Sequence, residues 1–382
     1  DIIQHISELK GILESKSKRM EIIKEELLEV KEKYGEERRT EIIEDFESLS
    51  IEDMIAEEEM VLTITHNGYI KRTNLNTYRS QRRGGRGVQG ASSREEDFVE
   101  HLFVANTHSY ILFFTDKGKC YWVKVYDIPE GGRAAKGRAI VNLIGCEPDE
   151  KVSAFISVKE FNDDHFVVMA TEKGIVKKTK LSAYSNPRKK GIYAVEIRDG
   201  DKLIEARVST GDNDILLGTR NGKSIRFSEE QIRPSGRKTM GVKGITLSSE
   251  DDRLVGMLLI KREGTTVLVA TEKGFGKRTE ISQYRAQKRG GKGVLTMKTT
   301  DKVGKMVTIK EVVDKDDLMI ITNQGVLIRQ PVSQIRAIGR ATQGVKLIKL
   351  GEGTLVSSIT RIMSEEDSGD ENNSTEPKGN TE

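Results

Sequence analysis

One short segment of the sequence combines three arginines with three glycines. Its residues are Gln81, Arg82, Arg83, Gly84, Gly85, Arg86 and Gly87. Guanidinium groups bind phosphate oxygens through paired, charge-assisted hydrogen bonds, and glycine leaves neighbouring backbone N–H groups open to an anion. The composition of this segment therefore predicts contact with a polyanion that carries phosphate groups.

Related segments recur along the chain. Residues 287–293 are a chemical copy, with cations at Lys288, Arg289 and Lys292, and weaker relatives occupy residues 132–137, 187–191, 236–241 and 339–344. Segments rich in Arg and Gly also occur in disordered RNA-binding tracts. A fixed place inside a repeat instead favours an ordered loop, so we expect these cations to be presented by a regular fold.

The repeat consists of an apolar strand, a turn that contains glycine, and a second strand. The turn glycines are Gly68, Gly118, Gly174, Gly222, Gly274 and Gly325. They are separated by 50, 56, 48, 52 and 51 residues, and a second glycine follows each of them after 19 residues, or 17 in the third copy. A positive φ in a tight hairpin explains the turn glycines. Six such copies predict an all-β array of the propeller type.

Two further positions keep register with the turn glycines. Ten residues beyond each glycine the side chain is aromatic or aliphatic, which predicts packing between blades: Tyr78, Ile128, Tyr184, Ile232, Tyr284 and Ile335. Four residues beyond the glycine, five copies carry a cation: Arg72, Lys178, Arg226, Arg278 and Arg329. Trp122 interrupts this set. We expect the five cations to form a ring of positive charge at one rim and to bind the polyanion.

Charge is strongly segregated along the chain. The net charge is −10 over residues 1–60, +19 over residues 61–363 and −6 over residues 364–382. Apolar residues at helical spacing predict one coiled-coil-like helix over residues 1–34, ended by Gly35, with an acidic linker to residue 60. The tail from residue 364 has no aliphatic or aromatic side chain and is expected to be disordered. The basic middle predicts a polyanionic partner.

Other classes of chemistry find little support in the sequence. Cys120 and Cys146 have no metal-ligand or CxxC spacing and are expected to be small apolar residues in a reducing cytoplasm. The five histidines have neither triad nor metal-pair spacing. No apolar run is long enough for a membrane span, and no signal peptide is visible.

The sequence resembles the C-terminal domain of the DNA gyrase A subunit family. Residues 81–87 match that family's GyrA box residue for residue, residues 59–72 are similar to the opening of the domain, and residues 34–42 resemble the segment that leaves the A-subunit coiled coil. The resemblance extends to about Met363. It implies a six-bladed β-pinwheel, a propeller-like disc with its own strand connectivity.

The resemblance also implies a function. In the family this domain binds, bends and wraps double-stranded DNA without reading its sequence, which converts strand passage into ATP-dependent negative supercoiling. The DNA-cleaving tyrosine of the family lies in another domain, and this chain has no phosphate-binding loop for ATP. We therefore expect no catalysis and no cofactor in the chain itself. ATP and Mg²⁺ would be bound elsewhere in an A2B2 enzyme, formed with the rest of the A subunit, together with the B subunit, in the bacterial cytoplasm at the nucleoid.

Two other interpretations remain open at this point. The A-type subunit of topoisomerase IV has a related disc, although its box is usually degraded and its blades are often fewer. A kelch-like propeller that binds proteins would explain the period of the repeat. It would not explain the net charge of +19 over residues 61–363 or the box.

Overall fold

The computed structural model describes residues 1–36, 40, 51–65, 67–74, 99–132, 135–147, 149–186, 188–260, 264–324 and 327–362. The chain forms two compact units, Asp1–Met54 and Ile55–Glu382. The acidic tail predicted for residues 364–382 lies outside the described residues. Within those ranges, no helix is both long enough and apolar enough to cross a membrane.

The described residues of the first unit form two α-helices, α1 (Ile2–Glu14) and α2 (Lys16–Tyr34), and a short 3-10 helix, Ile51–Met54. The prediction of one continuous helix is wrong at Ser15, whose backbone is extended with φ −102° and ψ 113°. The Lys18 backbone N–H donates a hydrogen bond to the Ser15 hydroxyl at 3.4 Å, so this serine caps α2. Hydrophobic spacing does not reveal such a break, because the apolar residues on both sides of it keep a helical period.

Gly35 ends α2, as predicted, and its backbone N–H donates to the Lys31 carbonyl at 2.7 Å. Neither helix has a buried residue. Large apolar side chains are exposed along both helices: Ile2, Ile3, Ile6, Leu9, Leu13, Met20, Ile23, Leu27, Leu28 and Val30.

The second unit is built from six repeats, each with three long strands. The first strands of the repeats are β1 (Glu59–Thr65), β4 (Tyr110–Thr115), β8 (Phe166–Thr171), β12 (Asp214–Thr219), β16 (Thr266–Thr271) and β20 (Asp317–Thr322). The second strands are β2 (Tyr69–Asn74), β5 (Lys119–Lys124), β9 (Ile175–Lys180), β13 (Lys223–Ser228), β17 (Phe275–Glu280) and β21 (Leu327–Pro331). The third strands are β3 (Val99–Asn106), β7 (Val152–Val158), β11 (Leu203–Ser209), β15 (Leu254–Ile260), β19 (Met306–Val312) and β23 (Val356–Ile362).

Each repeat forms one antiparallel sheet, a blade, with its first strand in the centre. A two-residue strand from the following repeat pairs with the second strand and completes five of the sheets. These short strands are β6 (Arg138–Ala139), β10 (Ile192–Tyr193), β14 (Val242–Lys243), β18 (Val294–Leu295) and β22 (Val345–Lys346). The sixth sheet has three strands within the described residues. Each of these five blades therefore contains a short strand contributed by the next repeat. One short helix, α3 (Ile140–Ile144), follows β6.

The core lies between the blades. In β4, the side chains from Ile111 to Phe114 are fully buried. Leu112 and Phe114 pack with residues of the third blade, whereas Ile111 and Phe113 pack with residues of the first. A central strand covered on both faces is uniformly apolar rather than alternating. Contact between β23 and β3 closes the ring from the sixth blade to the first.

The two structural predictions made from the repeat hold where the structure describes them. The five described turn glycines have φ between 75° and 83°. The five described residues that lie ten positions beyond a turn glycine are buried between blades: Ile128, Tyr184, Ile232, Tyr284 and Ile335. Tyr78 and Gly325 lie outside the described residues.

The two cysteines are free thiols. Cys120 is fully buried and packs in the core between the second and third blades, as predicted for a small apolar residue. Burial raises its thiol pKa well above the usual value. Cys146 is half-buried beside α3, and burial also raises its pKa.

Candidate nucleic-acid interface

The box itself, residues 81–87, lies outside the described residues. The geometry of the interface therefore comes from the five related segments, which we call the perimeter loops: residues 132–137, 187–191, 236–241, 287–293 and 339–344. Each leads into one of the two-residue strands. Contacts between neighbouring blades concentrate on the third strands, at the opposite edge of each sheet. The perimeter loops thus lie at the outer edges of the blades.

In four of the five perimeter loops, the closing glycine is required by close backbone approach. Gly241 has φ 87°, and a Cβ there would lie 2.5 Å from the Val176 carbonyl oxygen of the preceding blade. Gly137, Gly293 and Gly344 repeat this arrangement, with a positive φ and a carbonyl oxygen 2.4 or 2.5 Å from the Cβ position. The fixed offset of the second glycine in the sequence therefore marks the point where a loop docks on the preceding blade.

The fifth-repeat copy of the box divides its three cations between two surroundings. Lys288 and Lys292 are exposed. Arg289 instead donates from Nε to the Gln231 carbonyl at 2.9 Å and from Nη1 to the Lys243 carbonyl at 3.2 Å. Its own backbone N–H donates to the Gln231 side-chain oxygen at 2.9 Å. Arg289 therefore ties the loop to the fourth repeat, while the two lysines face solvent.

The cations four residues beyond the turn glycines connect blades. Arg72 Nε donates to the Ile128 carbonyl at 2.7 Å, and Arg278 Nε donates to the Ile335 carbonyl at 2.6 Å. Both acceptors are the buried residue ten positions beyond the turn glycine of the following repeat. Arg226 Nη1 makes the equivalent bond to Tyr284 at 3.2 Å. Trp122 makes it too, from its indole Nε1 to Tyr184 at 2.8 Å.

Each of the five cations also has an acidic partner. Lys178 Nζ lies 2.8 Å from the buried Glu229 carboxylate. The other pairs are Arg72 with Glu130, Arg226 with Asp214, Arg278 with Asp314, and Arg329 with Asp317.

The five positions predicted to form a ring of positive charge at one rim are therefore paired with carboxylates, and most of them are shielded from solvent; their contact with DNA stays a prediction. Lys178 and Arg278 have only 4% and 8% of their surface exposed. Arg72 and Arg226 expose 17% and 23% of their side chains, and only Arg329, at 62%, is well exposed. Trp122 belongs to the set because an indole N–H, like a guanidinium, can donate to a carbonyl. That shared donor chemistry was the signal in the sequence for a structural role.

Sequence reasoning missed a second cationic position in register. Eleven residues beyond the turn glycine, immediately after the buried residue that packs between blades, stand Arg233, Arg285 and Arg336, and all three are exposed. Within the described part of the chain, none of the three forms a hydrogen bond or an ion pair. Further exposed cations lie on the perimeter loops or on the strands that follow them: Lys136, Arg138, Arg188, Lys189, Lys190, Lys238, Lys243, Lys288, Lys292 and Lys346. Solvent-facing positive charge thus collects along the outer edges of the blades.

Comparison with solved structures identifies two domains whose fold is similar to that of this chain. The C-terminal domain of DNA topoisomerase IV matches with a TM-score of 0.71 and 26% identity, covering 81% of this chain and 95% of that one. A DNA gyrase A C-terminal domain matches with a TM-score of 0.64 and 24% identity, covering 80% and 100%. Both share the propeller fold of this chain.

Comparison with curated sequences is more specific. The DNA gyrase A subunit of Staphylococcus epidermidis is 46% identical over 96% of this chain and 41% of that protein. The corresponding protein of Staphylococcus aureus is 45% identical over 100% of this chain and 43% of its own length. This chain therefore spans less than half the length of these relatives.

The family comparison covers the propeller repeat by repeat. The model of the DNA gyrase C-terminal domain, beta-propeller family matches residues 59–106, 109–159, 165–210, 213–261, 265–312 and 316–362. These six matches coincide with the six blades described above. The chain belongs to the family of DNA gyrase C-terminal β-propeller domains.

Proposed function

We propose that the propeller binds double-stranded DNA along the outer edges of its blades, and bends and wraps the duplex around the ring. The observation that carries this proposal is the register of exposed cations, with Arg233, Arg285 and Arg336 at one repeated position and lysines on the neighbouring perimeter loops. A net charge of +19 over residues 61–363 supplies the long-range attraction. Contacts of this kind reach phosphates and not base edges, so binding is independent of sequence.

The energetics of wrapping are consistent with such a surface. Bending roughly 40 base pairs through a half-turn costs on the order of 10 kcal/mol, extrapolating from a persistence length of about 150 base pairs. Each phosphate neutralised by a cation releases about 0.9 counterion, so around ten contacts offset that cost at low salt. Flexible DNA sequences are then preferred because they bend at lower cost.

The role we propose is that of the DNA-wrapping part of a gyrase A subunit. The chain would act in an A2B2 assembly with the rest of the A subunit, together with the B subunit, in the bacterial cytoplasm at the nucleoid. ATP hydrolysis and DNA cleavage would be performed elsewhere in that assembly, and the wrap would direct strand passage towards negative supercoiling. Relatives that are DNA gyrase A subunits, at 45–46% identity, support this assignment over topoisomerase IV.

We propose that the box makes the strongest contact with DNA, because residues 81–87 include three arginines and three glycines. Replacing Arg82, Arg83 and Arg86 by alanine in the assembled enzyme is expected to abolish negative supercoiling. Relaxation and decatenation should persist, since they do not need a wrapped segment. Equal loss of all three activities would contradict a role in wrapping.

The direct test of DNA binding uses this chain alone. Gel-shift titrations on linear duplex DNA at increasing salt should give an affinity that falls linearly in log–log terms. Nicked circular DNA that ligase closes in the presence of the chain should show a shift in linking number. Binding that is insensitive to salt, or the absence of a topological shift, would overturn the proposal.

A further inference from the structure

Three fully buried lysines lie beneath the perimeter loops of alternate blades. Lys71, Lys177 and Lys277 stand three residues beyond the turn glycines of the first, third and fifth repeats, and their exposed fractions are 3%, 1% and 0%. The same position in the second, fourth and sixth repeats is Tyr121, Ile225 or Ile328. The blade itself is therefore compatible with an apolar residue at this position.

Each lysine reaches a loop of the following repeat. Lys71 Nζ donates to the Gly132 carbonyl at 3.0 Å. Lys177 Nζ donates to the carbonyls of Ala194, at 2.7 Å, and Arg237. These bonds place an ammonium group under the first residues of the perimeter loops of the second and fourth repeats.

Lys277 makes the most extensive set of contacts. Its Nζ donates to the Gly339 carbonyl at 2.7 Å, to the Arg340 carbonyl, and to the Thr342 hydroxyl at 3.0 Å. All three acceptors belong to the perimeter loop of the sixth repeat. Within the described residues, neither Lys277 nor Lys177 has a carboxylate at ion-pair distance, so backbone carbonyls take the place of a counter-ion.

The sequences of the loops alternate together with the lysines. The three loops held by a lysine share the pattern Gly-Arg-x-x-x-Gly, at residues 132–137, 236–241 and 339–344. The loops that follow Tyr121 and Ile225, at residues 187–191 and 287–293, lack this pattern and carry three cations each. The box at residues 81–87 also carries three cations. A buried ammonium therefore accompanies one loop type.

The burial of these lysines is unfavourable on its own. Desolvation lowers the pKa of Lys177 to about 7 and that of Lys277 to about 8, and it lowers the pKa of Lys71 as well. Isoleucine at the equivalent position of the fourth blade avoids this cost. The contact with the loop is what distinguishes the lysine from the isoleucine.

We propose that Lys71, Lys177 and Lys277 are positioning residues for DNA. By holding the carbonyls at the start of the Gly-Arg loops, they fix the positions of the exposed lysines in or directly after those loops, Lys136, Lys238 and Lys346, so that these meet the phosphate backbone. Among the described loops, DNA is then contacted by two kinds, those rich in cations at residues 188–191 and 287–293 and those held by a lysine. This inference rests on the proposed function.

The test replaces the lysine by the residue that alternate blades already use. In Lys177→Ile the salt dependence of DNA binding is expected to weaken, with a log–log slope smaller by about one to two, because the loop holds Arg237 and Lys238. Affinity at low salt should fall several-fold. Amide hydrogen exchange at residues 236–241 should become faster, while exchange in the central strands stays unchanged. The midpoint of thermal unfolding near neutral pH should change little, because relief of the cost of burying the ammonium offsets the loss of its hydrogen bonds to the Ala194 and Arg237 carbonyls.

Controls separate loop positioning from charge and from stability. Lys159→Ile makes the same replacement in the exposed connection between β7 and β8, away from the perimeter loops, and should leave the slope unchanged. Lys177→Met and Lys277→Ile repeat the experiment with another side chain and another blade. An unchanged slope in a folded variant would overturn the inference. So would a loss of affinity that only follows the unfolding midpoint, or an equal loss in Lys159→Ile. If the unsubstituted chain does not bind DNA in a salt-dependent way, the proposed function itself fails.

Discussion

Arg278 and Arg336 lie close together at the junction of the fifth and sixth blades, but their surroundings are opposite. Arg278 is buried and donates to the Ile335 carbonyl at 2.6 Å, whereas Arg336, the next residue after that carbonyl, is exposed. The first contributes to packing between blades, and the second is available to a phosphate. The role of a cation that recurs at one position of each repeat therefore depends on the hydrogen-bond acceptors around it.

Replacing each of these two arginines by alanine should separate stability from binding. Arg278→Ala leaves a buried carbonyl and a carboxylate without their partner, so the free energy of unfolding should fall by about 2–3 kcal/mol. Arg336→Ala should change it by less than about 0.5 kcal/mol and reduce the salt slope of DNA binding by about one. Urea titration and gel shifts on both variants test this, and the reverse pattern would contradict the assignment.

The buried lysines predict how stability depends on pH. The folded pKa of Lys177, about 7, lies below the ordinary value of 10.5, because burial and nearby Arg237 outweigh the attraction of Glu196. Lys277, beside Arg340, behaves similarly. The unfolded chain then binds more protons between these pKa values, so the destabilisation caused by each lysine is complete below the folded pKa and disappears as pH rises.

This pH dependence can be measured by comparing the stability of Lys177→Ile with that of the unsubstituted chain. The unfolding midpoint of Lys177→Ile relative to the unsubstituted chain should be highest near neutral pH and should decrease as pH approaches about 10. Other titrating groups cancel in the comparison. A difference that is constant with pH would show that the lysine keeps its ordinary pKa in the fold.

At the scale of elements, the perimeter loop and its short strand form one unit with the preceding blade. The strand pairs in a fixed register, as in Val242 with Val176 and Lys243 with Ile175. The closing glycine permits the backbones to approach, and a lysine or an apolar residue supports the loop from below. The place of a cation along the perimeter loop and its short strand therefore determines whether its side chain faces solvent.

The glycine at the end of a loop can be tested against a glycine at its beginning. Gly241→Ala places a Cβ 2.5 Å from the Val176 carbonyl oxygen at φ 87°, and it should destabilise the propeller by about 1–3 kcal/mol. Gly236→Ala in the same loop has nothing within 4 Å of the new Cβ and should be nearly neutral. Equal urea midpoints for the two variants would show that the loop adjusts freely.

Much of the fold was predictable from sequence because its determinants are local and repeated. Turn glycines at intervals of about fifty residues and the buried residues ten positions further on defined six blades. The exchange of short strands between repeats was not predictable from periodicity, since residues such as Val242 and Lys243 carry no pairing signal of their own. The break at Ser15 was missed because capping depends on backbone conformation and not on apolar spacing.

The candidate site was predicted only in part, for a related reason. The loops rich in cations were found from composition, and Lys288 and Lys292 are exposed as that prediction requires. The burial of most of the five cations four residues beyond the turn glycines was not predictable, because a position repeated in the sequence does not show whether its side chain faces solvent. Carbonyl acceptors such as that of Ile128 come from the following repeat and become visible only when the blades are assembled.

At the scale of the whole propeller, the proposed wrapping of DNA follows from a closed ring of blades with positive charge at their outer edges. Contact between β23 and β3 closes the ring, and the third strands lie on the side of the sheets opposite to the perimeter loops. Positive charge is thereby distributed over several blades at similar positions. A surface of that kind favours a bent duplex over a straight one, because bending brings more phosphates into reach.

The measurement that tests the central claim most directly is the salt dependence of DNA binding in a variant with Arg233, Arg285 and Arg336 replaced by alanine. These side chains are exposed at one repeated position beside the perimeter loops. The account predicts an unchanged unfolding midpoint, a log–log slope smaller by about three, and a reduced linking-number shift. An unchanged slope and an unchanged shift, in a variant that is fully folded, would contradict it.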